Sequence, residues 1–134
     1  MNEKALRTLE FIKIRQMLSS LALTEPGQLR CDALLPYGSQ EQVERAQHQT
    51  EEALLILLRR GDSPLIHFKD VSAWLSLAQK GSTLPPRALL DTAELLRAAQ
   101  AAKAALGEDE QERTPQLTAL AARLEPQRQL ERAI

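Results

Sequence analysis

One stretch of the sequence decides the fold class: SQEQVERAQHQTEEALLILLRRG, residues 39–61. Its core-forming side chains recur every three or four residues, which is the spacing of one face of an α-helix. Ser39 and Gln42 form a capping box at the start, and Gly61 is suited to end the helix because it tolerates a left-handed backbone. The stretch therefore predicts one long helix whose inward face consists of Val43, Ala46, Thr50, Ala53, Leu54, Leu57 and Leu58.

Three shorter helices are expected before this stretch. A change of phase near residues 8–10 separates a short opening helix from an amphipathic one. Pro26 suits the first turn of the third helix, because its missing N–H would have no partner there, and Pro36 helps to end it. The inward stripe of the amphipathic helix consists of Phe11, Ile14, Leu18 and Leu21.

Further helices are expected after residue 61, beyond a loop at residues 62–69. Asp70 caps a short helix that carries Trp74. A second long helix occupies residues 86–106 and ends at Gly107, and the acidic residues 108–112 form a solvated loop.

The final helical stretch begins at Thr114-Pro115 and is interrupted by Pro126. Its apolar residues keep the helical spacing through the interruption. We expect them either to pair between copies of the chain or to lie in its most mobile helical part. This stripe consists of Leu117, Leu120, Leu124 and Leu130.

Together these stretches predict an all-α fold, an irregular bundle of six to eight helices, two of them long, with no sheet. Leu and Ala make up about a third of the 134 residues, whereas Val occurs twice, so the residues that favour sheets are scarce. The length fits a single helical domain over residues 1–134. We expect Trp74 to be at least half buried and the following side chains to be largely buried: Phe11, Ile14, Leu18, Leu54, Leu57, Leu89 and Leu96.

The charge and hydropathy of the sequence give no support for a nucleic acid or a membrane as a direct partner. The chain has 17 basic and 18 acidic residues, a net charge of −1, which gives no broad positive field for nucleic acid. No apolar run approaches the roughly 20 residues that span a bilayer, and the first segment is charged rather than signal-like. The single Cys31 excludes an intramolecular disulfide and fits a reducing compartment. We therefore expect a cytoplasmic protein with no membrane partner.

The residues that carry most enzyme chemistry are scarce. His48, within a helix, and His67, in a loop, are not spaced as a zinc-binding pair. A cysteine nucleophile would require a base beside Cys31, so this residue is interpreted as a small apolar side chain. We predict no catalytic, cofactor-binding or metal-binding residue in this chain.

Two short polar motifs resemble functional ones. Lys80-Gly81-Ser82-Thr83 has residues of a phosphate loop in the wrong order, because the glycine follows the lysine instead of preceding it. Gly81 is therefore interpreted as a helix C-cap. Glu51 and Glu52 diverge by about 100° on a helix, so they are interpreted as solvated charges rather than an acid–base pair.

A pair of arginines closes the long helix of residues 39–61. Arg59 and Arg60 could contact a phosphate. Their position at the negative end of the helix dipole explains them equally well.

Five short motifs follow one another along the chain: Leu9-Glu10-Phe11-x-Lys13-Ile14, Thr24-Glu25-Pro26-Gly27, Leu34-Leu35-Pro36, Thr50-Glu51-Glu52-Ala53 and Lys80-Gly81-x-x-Leu84. Their order and spacing resemble the N-terminus of the MutS-II proteins, the second bacterial branch of the MutS family. The resemblance extends from about Leu6 to Ile134. Members of that branch lack the N-terminal mismatch-reading domain and begin in the helical core, or lever, region.

The resemblance implies functions that lie mostly outside these residues. Such proteins are homodimers with a P-loop ATPase domain, which uses ATP and magnesium, and a C-terminal Smr endonuclease domain. They are linked to branched DNA, through the suppression of recombination, and to collided ribosomes. The chain would then be an N-terminal fragment, a non-catalytic core or lever module whose partners are the remaining domains of its parent. No catalytic residue of the family is carried over to this sequence.

Two other hypotheses stay open. The chain could be a freestanding helical adaptor that binds a partner protein through a groove of Leu and Ala, or an enzyme in its own right. Continuation of the gene past Ile134 into a phosphate loop and a nuclease domain would distinguish a fragment from both.

Overall fold

The computed structural model describes residues 3–106 and 113–134, with side chains from residue 6 onward. Within those residues the chain forms eight α-helices and no strand, which confirms the all-α prediction. The expected helix end at Gly107 and acidic loop at residues 108–112 lie outside the described residues. The helices are α1 (Glu3–Thr8), α2 (Phe11–Leu21), α3 (Glu25–Asp32), α4 (Gln40–Arg60), α5 (Ser72–Gln79), α6 (Pro86–Ala105), α7 (Pro115–Ala122) and α8 (Arg128–Ala133).

The ends of the helices follow from local chemistry. Ser39 Oγ accepts the N–H of Gln42 at 3.3 Å, and Gln42 Oε1 accepts the N–H of Gly38 at 3.2 Å, one residue before the usual capping-box partner. Gly61 ends α4 in the left-handed region, with a φ of 81°. Glu10, with a φ of 53°, separates α1 from α2. The break therefore lies where the change of apolar phase predicts it.

α7 is the helix that contacts both long helices. It packs against α4 and against α6, and α6 also contacts α8. At the other end of the chain, α2 packs along α3 and contacts α1. Residues 61–71 connect α4 to α5 without a helix.

The buried core is thinner than the sequence predicts. In the described part of the chain six apolar side chains are buried, and four of them are alanines. Trp74 is partly buried, as predicted, but Phe11 and Leu96 are also only partly buried. The predicted burial is wrong for five aliphatic residues, whose exposed fractions are 58% for Ile14, 43% for Leu18, 54% for Leu54, 42% for Leu57 and 39% for Leu89.

The orientation of α4 gives the physical reason. Along its second half the residues with least exposure are Gln49, Glu52, Ala53 and Ile56. The leucine stripe, which consists of Leu54, Leu57 and Leu58, lies to one side of them. Burial of aliphatic area is non-directional, whereas hydrogen bonds fix one face of a helix toward its partner. The hydrogen bonds that Glu52 accepts from backbone N–H groups of α7 therefore decide which face of α4 is covered.

We predict that Ile56→Ala lowers the free energy of unfolding by about 2–4 kcal/mol, because it removes buried methyl groups and leaves a cavity. Leu58→Ala is the matched control, since Leu58 is 73% exposed, and should change stability by less than about 0.5 kcal/mol. Urea unfolding followed by Trp74 fluorescence measures both variants. Equal losses would contradict the placement of Ile56, rather than the leucine stripe, in the core.

Candidate functional site

A buried carboxylate joins α4 to α7. Glu52 is 7% exposed, and both of its oxygens accept backbone N–H groups from the first turn of α7. Gln116 donates to Oε1 at 3.1 Å, and Leu117 donates to Oε2 at 2.8 Å. A negative charge at this end of a helix also interacts favourably with the helix dipole. The prediction that Glu52 is a solvated charge is therefore wrong, although its neighbour Glu51 is exposed.

The N-terminus of α7 receives no cap from its own N-cap side chain. The first turn of any helix leaves N–H groups without an intrahelical acceptor. Thr114 occupies the N-cap position and is 1% exposed, but its side chain makes no capping hydrogen bond. Pro115 follows and has no N–H to satisfy. Glu52 therefore accepts the next two N–H groups and takes the place of a local cap.

Polar side chains of α6 hold the other end of α7 and one point on α8. Lys103 Nζ donates to the Leu124 carbonyl at 2.6 Å, just beyond the C-terminus of α7, where a cation is favourable. Gln100 Nε2 donates to Glu131 Oε2 at 2.6 Å, and Arg97 Nε lies 3.8 Å from Glu131 Oε1. The two long helices thus fix α7 at both ends through polar contacts.

The sequence Thr24-Glu25-Pro26-Gly27 builds a second junction. Thr24 Oγ1 accepts the Gly27 N–H at 3.2 Å and caps α3. A Cβ added to Gly27 would lie 2.9 Å from that oxygen, so a larger residue would disturb the cap. Glu25 Oε2 accepts the Asp70 N–H at 2.7 Å, which ties the start of α3 to the segment that precedes α5. This motif therefore serves the connection between distant parts of the chain.

Asp70 prepares the start of α5. Its Oδ1 accepts the hydroxyl of Ser72 at 2.6 Å and the N–H of Ser72 at 2.9 Å. Hydrogen bonds to the charged form favour it, so the hydroxyl first and the N–H second lower the pKa of Asp70 below its ordinary value of 3.8. The N-cap position itself is occupied by Val71, whose side chain makes no capping hydrogen bond. The expectation that Asp70 caps this helix is therefore wrong by one residue, although Asp70 accepts the N–H of the first residue of α5.

The motif Lys80-Gly81-Ser82-Thr83 closes α5. The N–H of Gly81, whose φ is 76°, donates to the Ala78 carbonyl at 2.9 Å, and the N–H of Ser82 donates to the Leu77 carbonyl at 3.1 Å. This pair of bonds is the Schellman motif of a helix end. The C-cap interpretation of Gly81 is confirmed, and these N–H groups are engaged by carbonyls rather than directed at a phosphate.

A second buried carboxylate stays within one helix. Asp91 of α6 is 4% exposed, and its Oδ1 lies 2.9 Å from Nε of Arg87, one turn earlier. The contact is an ion pair without the geometry of a hydrogen bond. Both residues belong to α6, so this ion pair does not join two helices.

The other side chains considered from the sequence do not form a site. Among residues 3–106 and 113–134, no group of three His, Cys, Asp or Glu side chains is placed to hold a metal ion. His48 and His67 are exposed, and Cys31 is partly buried in α3. Arg59 and Arg60 are exposed in the last turn of α4. Over the same part of the chain no helix is long and apolar enough to cross a membrane.

The fold and these junctions define a helical structural module in which polar side chains fix helices to one another. No family model matches the chain, and no solved structure matches it. Its sequence relatives are bacterial proteins named Endonuclease MutS2. The protein of Clostridium beijerinckii is 35% identical over 132 residues, which are 98% of this chain and 17% of that protein.

Two further relatives carry the same name. The protein of Clostridium botulinum strain Eklund 17B is 33% identical over 135 residues, covering 100% of this chain and 17% of the relative. The protein of Alkaliphilus oremlandii is 40% identical over 114 residues, covering 85% of this chain and 14% of the relative. The chain is therefore related to a segment of the MutS2 endonucleases, and it spans at most 17% of the length of these relatives.

We predict that Glu52→Gln lowers the free energy of unfolding by about 1–3 kcal/mol, because the amide removes the charge and turns an NH₂ group toward one of the two donors. Glu51→Gln is the matched control on the neighbouring, exposed residue, with a change below about 0.5 kcal/mol. Urea unfolding measures both variants, and hydrogen exchange of the Gln116 and Leu117 amides should accelerate only in the first. If the two variants unfold alike, the cap does not stabilise α7.

A separate prediction concerns Asp70. Its carboxyl should titrate below pH 3.8, and Ser72→Ala should raise the pKa toward 3.8, because the hydroxyl is the larger cause of the shift. Since the folded pKa is the lower one, the stabilisation is present above pH 3.8 and is lost as pH falls through the folded value. Carboxyl NMR titration of the unaltered chain and of Ser72→Ala measures the pKa of Asp70 in each. An unchanged pKa in Ser72→Ala would contradict the assigned cause.

Proposed function

We propose that this chain is a non-catalytic core segment of a MutS2-like protein, in which it holds long helices at fixed positions relative to one another. The contact between Glu52 and the first turn of α7 carries the proposal. Through it a buried side chain of α4 caps a helix whose opposite end is bound by Lys103 of α6. α4 has 21 residues and is about 32 Å long at 1.5 Å per residue. A stiff element of that length, fixed at one point, is suited to carry a displacement from one part of a protein to another.

The family-like motifs support a role in positioning. Glu52 belongs to Thr50-Glu51-Glu52-Ala53, and Glu25 belongs to Thr24-Glu25-Pro26-Gly27. Both carboxylates accept backbone N–H groups more than 40 residues away in the sequence. Each motif thus supplies a group that joins distant helices, whereas Lys80-Gly81 supplies a helix end.

The proposal includes a longer parent protein. The relatives' name supports only its endonuclease activity, and the other properties are those that the resemblance of the sequence motifs implies. That parent would be a cytoplasmic, homodimeric ATPase and endonuclease that uses ATP and magnesium and acts on DNA or on ribosomes. We assign none of this chemistry to a residue of this chain. The Schellman motif at Gly81 does not fit a nucleotide phosphate, and the absence of cofactor and catalytic residues here stays a prediction.

One observation favours the second candidate, a freestanding adaptor. An apolar cleft of about 230 Å³ lies between α4, the segment before α5 and α7, and a smaller one of about 150 Å³ borders α6. Such clefts are concave and apolar, as grooves for a partner side chain are. The larger cleft is lined by Ala53, Ile56, Leu57, Ser63, Pro64, Leu65, Leu106 and Leu117.

We predict that the isolated chain neither binds ATP in calorimetry nor cleaves branched DNA. In the longer parent, Glu52→Gln should reduce the stimulation of ATP hydrolysis by DNA at least about threefold, a loss of about 0.65 kcal/mol in coupling. Basal hydrolysis should change less, because the proposal assigns Glu52 a contact with α7 and none with the nucleotide. Glu51→Gln should leave both rates as they are.

Three results would contradict the proposal. Saturable ATP binding or DNA cleavage by the isolated chain would assign it chemistry of its own. Full stimulation of ATP hydrolysis by DNA in the Glu52→Gln parent would contradict a positioning role for the contact between Glu52 and α7. A gene that ends at Ile134 would favour the adaptor.

A further inference from the structure

A cavity with two cationic side chains lies between the second half of α6 and the segment that leads into α8. Its volume is about 490 Å³, and no carboxylate lines it. The cations come from both helices, since Lys103 belongs to α6 and Arg128 is the first residue of α8. The positioning role proposed above does not use this cavity. Its lining consists of Gln100, Ala101, Lys103, Ala104, Pro126 and Arg128.

The polar side chains of the cavity retain unused hydrogen-bond donors. Lys103 has three N–H bonds and donates one of them to the Leu124 carbonyl at 2.6 Å. Gln100 Nε2 has two N–H bonds and donates one to Glu131 at 2.6 Å. Arg128 makes no side-chain hydrogen bond or ion pair with any residue that the structure describes. The cavity therefore offers donors and positive charge, which is the composition of a site for an anion.

The carboxylate that Gln100 contacts is already balanced by another cation. Glu131 accepts Gln100 Nε2 with Oε2, and its Oε1 lies 3.8 Å from Arg97 Nε. Arg97 does not line the cavity. The charges of Lys103 and Arg128 are therefore available to a ligand, because the carboxylate beside the cavity is paired elsewhere.

We propose that this cavity binds the phosphate group of a small phosphomonoester. Near neutral pH such a group carries about −1.5 to −2 charges and has three acceptor oxygens, so one ligand group matches both cations. A carboxylate or a phosphodiester carries a single negative charge, and its attraction to the same two cations is weaker. The guanidinium of Arg128 suits two phosphate oxygens at once, whereas Lys103 acts as a point charge. This inference does not depend on the proposed function.

The rest of the lining suits an uncharged organic group. Ala101, Ala104 and Pro126 provide apolar surface beside the cations. A phosphate ion alone would leave most of the 490 Å³ unfilled, so the ligand class is an organic phosphate rather than inorganic phosphate. An apolar wall with a few convergent polar groups is the usual composition of a site for a small molecule.

Phenyl phosphate and phenyl sulfate are matched probes of this site, because they have nearly the same shape and differ by one negative charge. Amide NMR shifts of the 134-residue chain, measured at constant ionic strength, report binding at each residue. We expect phenyl phosphate to bind saturably with a Kd of about 1–10 mM, the range that a few charge-assisted hydrogen bonds provide. Phenyl sulfate should bind at least about fivefold more weakly. Magnesium bridges the β- and γ-phosphates of ATP, so its complex with ATP presents no free dianion and should not bind.

Matched variants locate the binding site. Arg128→Gln should weaken the binding of phenyl phosphate at least about tenfold, because it removes one of the two cations. Arg132→Gln is the control, since Arg132 is exposed one turn later in α8 and does not line the cavity; it should change the Kd less than about twofold. Ala104→Leu fills the cavity from an exposed position of α6 without changing a charge, and it should weaken binding at least about fivefold.

Four results would overturn this inference. The absence of saturable shifts up to the solubility limit of phenyl phosphate would show that the cavity binds no phosphate. Equal effects of Arg128→Gln and Arg132→Gln would reduce the binding to diffuse attraction. Equal affinities for the two probes would contradict the selection of a dianion. Unchanged binding in Ala104→Leu would place the phosphate outside the cavity. Each of these outcomes leaves the proposed function intact, because that function rests on the contact between Glu52 and α7.

Discussion

The carboxylate of Glu52 and the first turn of α7 satisfy each other. Burying a charged carboxylate is costly unless hydrogen bonds replace its water, and the N–H groups of a helix start are costly to bury for the same reason. Gln116 and Leu117 supply the bonds that Glu52 requires, and Glu52 supplies the acceptors that α7 requires. The contact of α4 with α7, and through it the relation of α4 to α6, depends on this exchange.

The same logic recurs elsewhere in the chain. Lys103 meets the carbonyl end of α7, and Glu25 meets a backbone N–H before α5. Each of these bonds joins a charged side chain to a backbone group at the margin of a helix, where the backbone lacks its own partners. Such bonds have direction, so they select one orientation where a row of leucines would accept several. The chain arranges its helices with polar contacts more than with a large apolar core.

A small core and an exposed apolar surface are two consequences of that arrangement. Four of the six buried apolar residues in the described structure are alanines, which let helices approach closely but bury little area each. Leucines at helical spacing meanwhile line the surface of α2 and α4. The proposed function is compatible with both features, because a segment of a longer protein need not bury every apolar stripe within itself.

Local interactions along the sequence determined the helices, and tertiary contacts determined their orientation. Ser39, Gly61 and Gly81 act on backbone groups within a few residues of themselves, so their caps and the helix ends could be predicted. The burial of Glu52 could not be predicted, because its hydrogen-bond partners lie 64 and 65 residues away in the sequence. The exposure of Ile14 and Leu54 could not be predicted either, because it depends on which other helices lie against α2 and α4. Periodicity states that a helix has an apolar face, but only the packed structure shows whether anything covers that face.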